Sequence, residues 1–316
     1  MSKAFASTGD LQEKKTTFAK LGAGVYCLTA EGDPNSGVIV GDDGVMVIDA
    51  RATPAMARQL VERIRAVTDK PVKYVVLTHY HAVRVLGASG YGAQHIVASE
   101  ATRELIAERG KQDMASEIGR FPRLFDAVET IPGLTWPSIT FKKRMTVWMG
   151  RREVRIMHLG RGHTRGDTVV WLPREKILFS GDLVEEGATP YCGDAYLADW
   201  PRTLERLKRL KPRKLVPGRG EAMTTPAASK RAIAATQAFI RAMTGAIRAG
   251  VRRRKSLKQV FAATSARLKP RFGKWVIFEH CLPFNVARGY DEAKGIEDPR
   301  IWTAQRDRAM WKSLQG

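Results

Sequence analysis

The 316-residue chain is 44% apolar and 27% charged, enough apolar matter to bury a core and too much for a disordered polymer. No run approaches the roughly 18 uninterrupted apolar residues of a membrane span, and the opening MSKAFASTGDLQEKK lacks the apolar stretch of a secretory signal, so a cytoplasmic location is expected. The net charge is +21, and residues 201–316 hold 27 Lys+Arg against 8 Asp+Glu, so nearly all the excess is C-terminal. Such a surface suits solvated helix faces first and nucleic acid, anionic lipid or an acidic substrate second; no nucleic-acid-binding motif accompanies the charge. Cys27, Cys192 and Cys281 are odd in number and widely spaced, with no CxxC pair, which suggests neither a disulfide framework nor a cysteine zinc site and leaves them as small buried residues.

After a polar leader over residues 1–18, three apolar runs separated by turn residues, 24–30, 36–41 and 44–50, read as a strand meander. Residues 53–67 carry apolar side chains at helical spacing, and 71–78 (PVKYVVLT) form a buried strand after a proline. A second strand and helix follow at 95–99 and 101–110, then strands at 139–143, 145–150, 152–159, 167–172 and 176–182. A helix at 204–210 and a last strand at 214–218 complete the pattern. Strands and helices in two successive rounds predict an α/β fold of two mixed sheets sandwiched between helices, an αββα arrangement. From residue 223 the strand signal stops. Residues 226–250 and 256–268 are amphipathic helices and the aromatic-rich tail is helical, so 19–222 are read as the sandwich and 223–316 as a helical extension packed on it.

Four clusters carry chemistry. The strand ending at Thr78 runs into His79-Tyr80-His81, where two imidazoles one residue apart on a loop can face one point, as zinc ligands do. Glycines around His163 in Gly162-His163-Thr164-Arg165-Gly166-Asp167 permit a tight turn that presents its ring. Ser180-Gly181-Asp182 ends another apolar strand, and Pro217-Gly218-Arg219-Gly220 ends the last one.

Together and in this order, the four clusters resemble the motifs of the metallo-β-lactamase superfamily: a THxHxDHxxG loop, a GHTxGD loop, a GD turn and a PGHG turn. The resemblance spans roughly residues 20–221 and includes Asp49, at the place of a family aspartate buried beneath the metal loop. Residues 37–79 look most like the glyoxalase II-like branch, which includes hydrolases associated with sulfur oxidation and quinoprotein relays. By this resemblance His79, His81 and His163 are ligands of a first zinc, and Asp182 is the carboxylate that bridges two metals in the family.

The sequence departs from the pattern at three second-site positions: Val83 for the aspartate, Arg84 for the third histidine and Arg219 for the histidine of PGHG. Valine has no lone pair and a guanidinium stays protonated, so neither ligates a cation. The resemblance therefore implies about one zinc per chain and a degenerate second site. Arg84 and Arg219 are expected on either side of Asp182 within salt-bridge reach, fixed positive charge standing where a second ion would be. The mechanism expected is hydrolysis by a single zinc, with Asp182 orienting the water or taking its proton and Arg84 and Arg219 holding an anionic group of a small substrate or stabilising the oxyanion. The alternatives are a non-catalytic anion-binding protein on the same fold and a nuclease using the basic extension to hold RNA or DNA. His95 and His158 are read as structural, as are His280 and Cys192; a contribution of Glu279 or His280 to the site is the weaker reading.

Overall fold

The computed structural model describes residues 6–315. Seven strands form the first sheet, in which spatial order follows sequence order: β1 Thr17–Gly22, β2 Val25–Ala30, β3 Asp33–Val40, β4 Val45–Ile48, β5 Val72–Val76, β6 His95–Ser99 and β7 Ile139–Phe141. The first four pair antiparallel through short turns. β4, β5, β6 and β7 pair parallel, and a parallel pair needs a crossover. The helix α1 Pro54–Arg65 supplies the first crossover; the short α2 Ala82–Val85 lies in the second and the long α3 Glu100–Arg120 in the third. Thr53 caps α1 by accepting from the Met56 amide, ahead of a proline in the first turn, and Ser99 caps α3 through the Thr102 amide.

The second sheet holds β8 Arg144–Met149, β9 Arg152–Met157, β10 Val169–Leu172, β11 Ile177–Phe179 and β12 Lys214–Val216, in the order β12-β11-β10-β9-β8. α4 Trp200–Lys208 is the crossover between the parallel strands β11 and β12. Inward-facing residues of both sheets, among them Cys27, Ile39, Met46, Val76, Val154, Ile156, Val170 and Phe179, form a fully enclosed core. Each such side chain contributes about 1.5–3 kcal/mol on burial. α1 and α3 cover the outer face of the first sheet. Helices α5 Pro226–Arg252, α6 Leu257–Phe272 and α7 Phe278–Ala293 share a core with α4 and the outer face of the second. The layers are thus helix, sheet, sheet, helix. The last helix, α8 Ala304–Gln315, packs on α3, α6 and α7.

Two elements differ from the sequence reading. β1 begins at Thr17, inside the polar leader. α3 runs on to Arg120, far beyond the expected helix, through residues whose polarity hides the period because Arg109, Asp113, Ser116 and Arg120 are buried polar positions. That extra length carries Asp113, Glu117 and Arg120 to the site.

Candidate metal centre

The parallel register that sets Ile48 against Val76 places Asp49 directly beneath the loop that leaves β5. Its two oxygens accept from the Thr78 amide and the Thr78 hydroxyl, both at 2.9 Å. Because that hydroxyl donates to Asp49, its oxygen is left to accept from Nδ1 of His79, 2.9 Å away. Nε2 of His79 then carries a lone pair, and it is buried without a hydrogen-bond partner among the described residues. His81 turns its Nε2 to the Asp194 carboxylate at 3.2 Å, which leaves Nδ1 facing the other two rings. Asp113 and Glu117 from α3 hold the loop from behind by accepting from the Ala82 and Val83 amides.

His163 sits in a turn where Gly162 leaves no room for a side chain: a Cβ there would lie 2.6 Å from Leu183. Asp167 closes the turn through the Thr164 amide and hydroxyl. Nδ1 of His163 donates to the Tyr191 carbonyl at 2.8 Å, so its Nε2 accepts from Nδ1 of His81, 3.0 Å away. All three rings meet edge to face, and their ligand atoms lie within 4.8 Å of one another. Three converging buried ring nitrogens, each with its opposite ring nitrogen held, suit a metal site once a bound ion displaces the proton shared by His81 and His163. Burial pushes His79 well below the usual histidine value and His163 down to about 3, keeping both in the neutral form a metal requires. Burial would lower His81 also, but Asp113 and Asp194 outweigh it and raise the ring to about 9.

Asp182 follows β11, and its Oδ2 lies 3.8 Å from Nε2 of His79 and 3.7 Å from Nε2 of His163. Its Oδ1 is gripped by the guanidinium of Arg84, which also donates to the Asn35 carbonyl at 2.8 Å and the Gly218 carbonyl at 2.7 Å and lies 3.6 Å from Asp49. Burial alone would raise the Asp182 carboxyl; Arg84, helped by His79, His163 and Arg219, instead holds it well below the usual carboxylate range. Burial against the same arginine leaves Asp49 raised to about 6.

The two arginines are not equivalent. Arg84 meets the expectation of salt-bridge contact with Asp182, but it is fully buried and absent from the cavity lining, so it does not reach a substrate. Arg219 lines the cavity, yet among the described residues it forms no ion pair; its Nη1 donates to the Gly32 carbonyl at 3.2 Å and its charge reaches Asp182 only through space. Its amide donates to the buried Glu185, which burial and the nearby Asp182 push well above the usual carboxyl value.

The cavity itself measures about 30 Å³. His81, His163 and Asp182 line it together with Val83, Glu117, Arg120, Phe121, Tyr191, Arg219 and Ile277. His280 and Cys281 also line it, where a satisfied structural role was expected for His280; the ring packs on Phe121 and Phe284. Glu279 points away to Lys269, and Cys192 is buried. His95 stacks on Tyr74, and His158 binds the Asp167 carbonyl, both structural. Sequence reasoning did not find Asp194, the Tyr191 carbonyl or Glu117, none of which lies in a recognisable motif.

A family model described as the metallo-beta-lactamase superfamily matches residues 29–219. The chain belongs to that superfamily. It is 28% identical over 201 residues to the metallo-beta-lactamase type 2 of Bacillus cereus, which covers 61% of this chain and 70% of that one. The type 2 enzyme of Bacteroides fragilis is 28% identical over 194 residues, with 60% and 70% covered. Among solved structures, a metallo-beta-lactamase from Pontibacter korlensis superposes with a TM-score of 0.56 at 23% identity, covering 70% of this chain and 99% of its own. The metallo-beta-lactamase FIM-1 of Pseudomonas aeruginosa, solved in its mono-zinc form, gives 0.55 at 20% identity over 70% and 94%. These two share the fold. As a member of the metallo-beta-lactamase superfamily the chain is a metallo-hydrolase with a histidine triad in place, and helices α5–α8 lie beyond the matched residues. No helix among the described residues is long and apolar enough to cross a membrane.

Proposed function

We propose that this chain is a mononuclear zinc hydrolase acting on an acyl substrate, such as an ester, thioester, lactone or amide, that bears an anionic group. The observation that carries the reading is the asymmetry about Asp182: on one side three histidine nitrogens converge with His79 Nε2 unpartnered, and on the other the Arg84 guanidinium occupies the carboxylate. His79, His81 and His163 would hold the zinc, and Val83, Arg84 and Arg219 leave the second site degenerate.

The chemistry supplied at such a centre is Lewis-acid polarisation of a carbonyl and acidification of water. Asp182 presents Oδ2 on the histidine side, where it would accept a hydrogen bond from the attacking water and fix its direction. Held ionised by Arg84, Asp182 is too weak a base to take the proton itself, so its role is to orient the water. Arg84 is a positioning residue for Asp182. Arg219 and Arg120, both on the cavity wall, place positive charge where an anionic substituent or a developing oxyanion would lie. The cavity has room for a water or two, so Phe121, Leu124 and Ile277 confine the reacting acyl group to a slender one.

The test is a screen of chromogenic esters, thioesters, lactones and β-lactams against zinc-loaded protein, repeated with His163→Ala and with Arg219→Ala. Hydrolysis of an anionic member should vanish in H163A and lose apparent affinity in R219A. Turnover that survives H163A would remove the metal from the mechanism.

A further inference from the structure

The partners that orient two of the three histidines, His81 and His163, do not sit at the ends of the sandwich's own strands. The Tyr191 carbonyl, which accepts from His163, and Asp194, which accepts from His81, lie on the irregular segment 188–199 that joins β11 to α4. Such a segment has no ladder to fix it, so its polar backbone groups need other partners.

Those partners come from the C-terminal helices and the turns that join them. Val276 bridges to Ala188 as a strand would, accepting from the Thr189 amide at 2.9 Å. Asn285, fully buried in α7, donates to the Pro190 carbonyl at 2.8 Å and accepts from the Cys192 amide at 2.6 Å, gripping the chain on both sides of Tyr191. Trp302 donates through Nε1 to the Gly193 carbonyl at 3.0 Å, Arg288 through Nε to the Ala195 carbonyl at 2.7 Å, and Glu292 accepts from the Leu197 amide at 2.8 Å. Arg109 of α3 binds Asp194 and the Pro299 carbonyl with one nitrogen, tying the His81 partner to the same tail.

We infer that the C-terminal helices are a working part of the metal centre, with Asn285 as the residue that positions the Tyr191 carbonyl and, through it, His163. The inference rests on the zinc reading of the triad and goes beyond it. Partners that orient a ligating histidine are worth 10–100-fold in metal affinity. Binding and docking are then one coupled equilibrium, so zinc must also tighten α7 by the same factor that α7 tightens zinc.

The experiment uses the full chain, with zinc affinity measured by competition with a chromophoric chelator. Asn285→Ala should bind zinc roughly 10–100-fold more weakly than wild type and shift the visible bands of the cobalt(II) form. Leu268→Ala, a cavity in α6 away from the segment, serves as the stability control and should change affinity less than two-fold. Zinc should slow amide exchange across Phe278–Ala293 in wild type and much less in N285A. Should N285A fail to fold, Trp302→Phe keeps an aromatic ring against Phe284 but removes the indole N–H that donates to Gly193, and should weaken zinc several-fold. Equal affinities for wild type and N285A, or for wild type and W302F in that case, would overturn the inference while leaving the zinc reading intact. So would an equal loss in L268A. Wild type that binds no zinc at all would refute both.

Discussion

Replacing Arg84 by methionine tests the charge arrangement at the core of the site. The side chain is fully buried, and its guanidinium serves Asp182, the Asn35 carbonyl and the Gly218 carbonyl with Asp49 3.6 Å away. Methionine fills much of the volume but leaves the Asp182 carboxylate uncompensated and two carbonyls unmet. Removing one partner of a buried pair costs about 3–5 kcal/mol. At about 2–4 °C per kcal/mol, and less in a chain this long, the melting midpoint should fall by roughly 5–15 °C. Because Asp182 is held below its ordinary range, the pair's contribution is present above about pH 4 and is lost as the pH falls through the depressed value, so the R84M penalty is largest at neutral pH and shrinks in acid. Urea unfolding at pH 7 in the presence of a chelator isolates the pair from any metal. The double variant Arg84→Met/Asp182→Asn removes both charges and should recover much of the loss. A penalty below about 1 kcal/mol for R84M, or a double variant as unstable as the two single losses added, would refute the argument.

Three further outcomes follow from the same structure. Val83→Asp/Arg84→His/Arg219→His restores the family pattern and should raise the zinc content towards two per chain by elemental analysis; a content unchanged at one would mean that Arg84 is not what keeps a second ion out. A fragment ending at Met223 loses α5–α8 and exposes their shared core with β10, β11 and α4, so it should aggregate in size-exclusion chromatography, and a monodisperse, cooperatively melting fragment would count against that packing. Burial pushes the Cys27 and Cys281 thiols up to about 12, so neutral thiols favour the fold below the unfolded value and that contribution is lost as the pH rises from about 9 towards 12. Native protein should accordingly resist thiol alkylation at pH 8, and rapid labelling before unfolding would contradict the burial.

The parts of the site that were legible are those whose chemistry is local. His79 and His81 lie one residue apart at a strand end, and His163 and Asp182 sit in turns whose glycines mark them. The resemblance then orders those turns into one centre. Asp194 had no such mark, since it is 113 residues from His81 and meets it only because α7 and Trp302 hold the intervening segment in place. The two arginines looked alike in sequence, but Arg84 on α2 points under the sheet ends while Arg219 is drawn to the Gly32 carbonyl; packing separates them, and residue type does not. The strand pattern was readable because its apolar runs are short and bounded, whereas α3 was cut short because its second half buries polar residues that serve the site.

Metal content tests the central claim most directly: protein purified without chelator and equilibrated with zinc is assayed for stoichiometry, and the ion is located by anomalous scattering at the zinc edge. One zinc per chain is expected, with a single peak among Nε2 of His79, Nδ1 of His81 and Nε2 of His163. A stoichiometry near two with a second peak on the Arg84 side of Asp182, or no bound zinc at all, would contradict it.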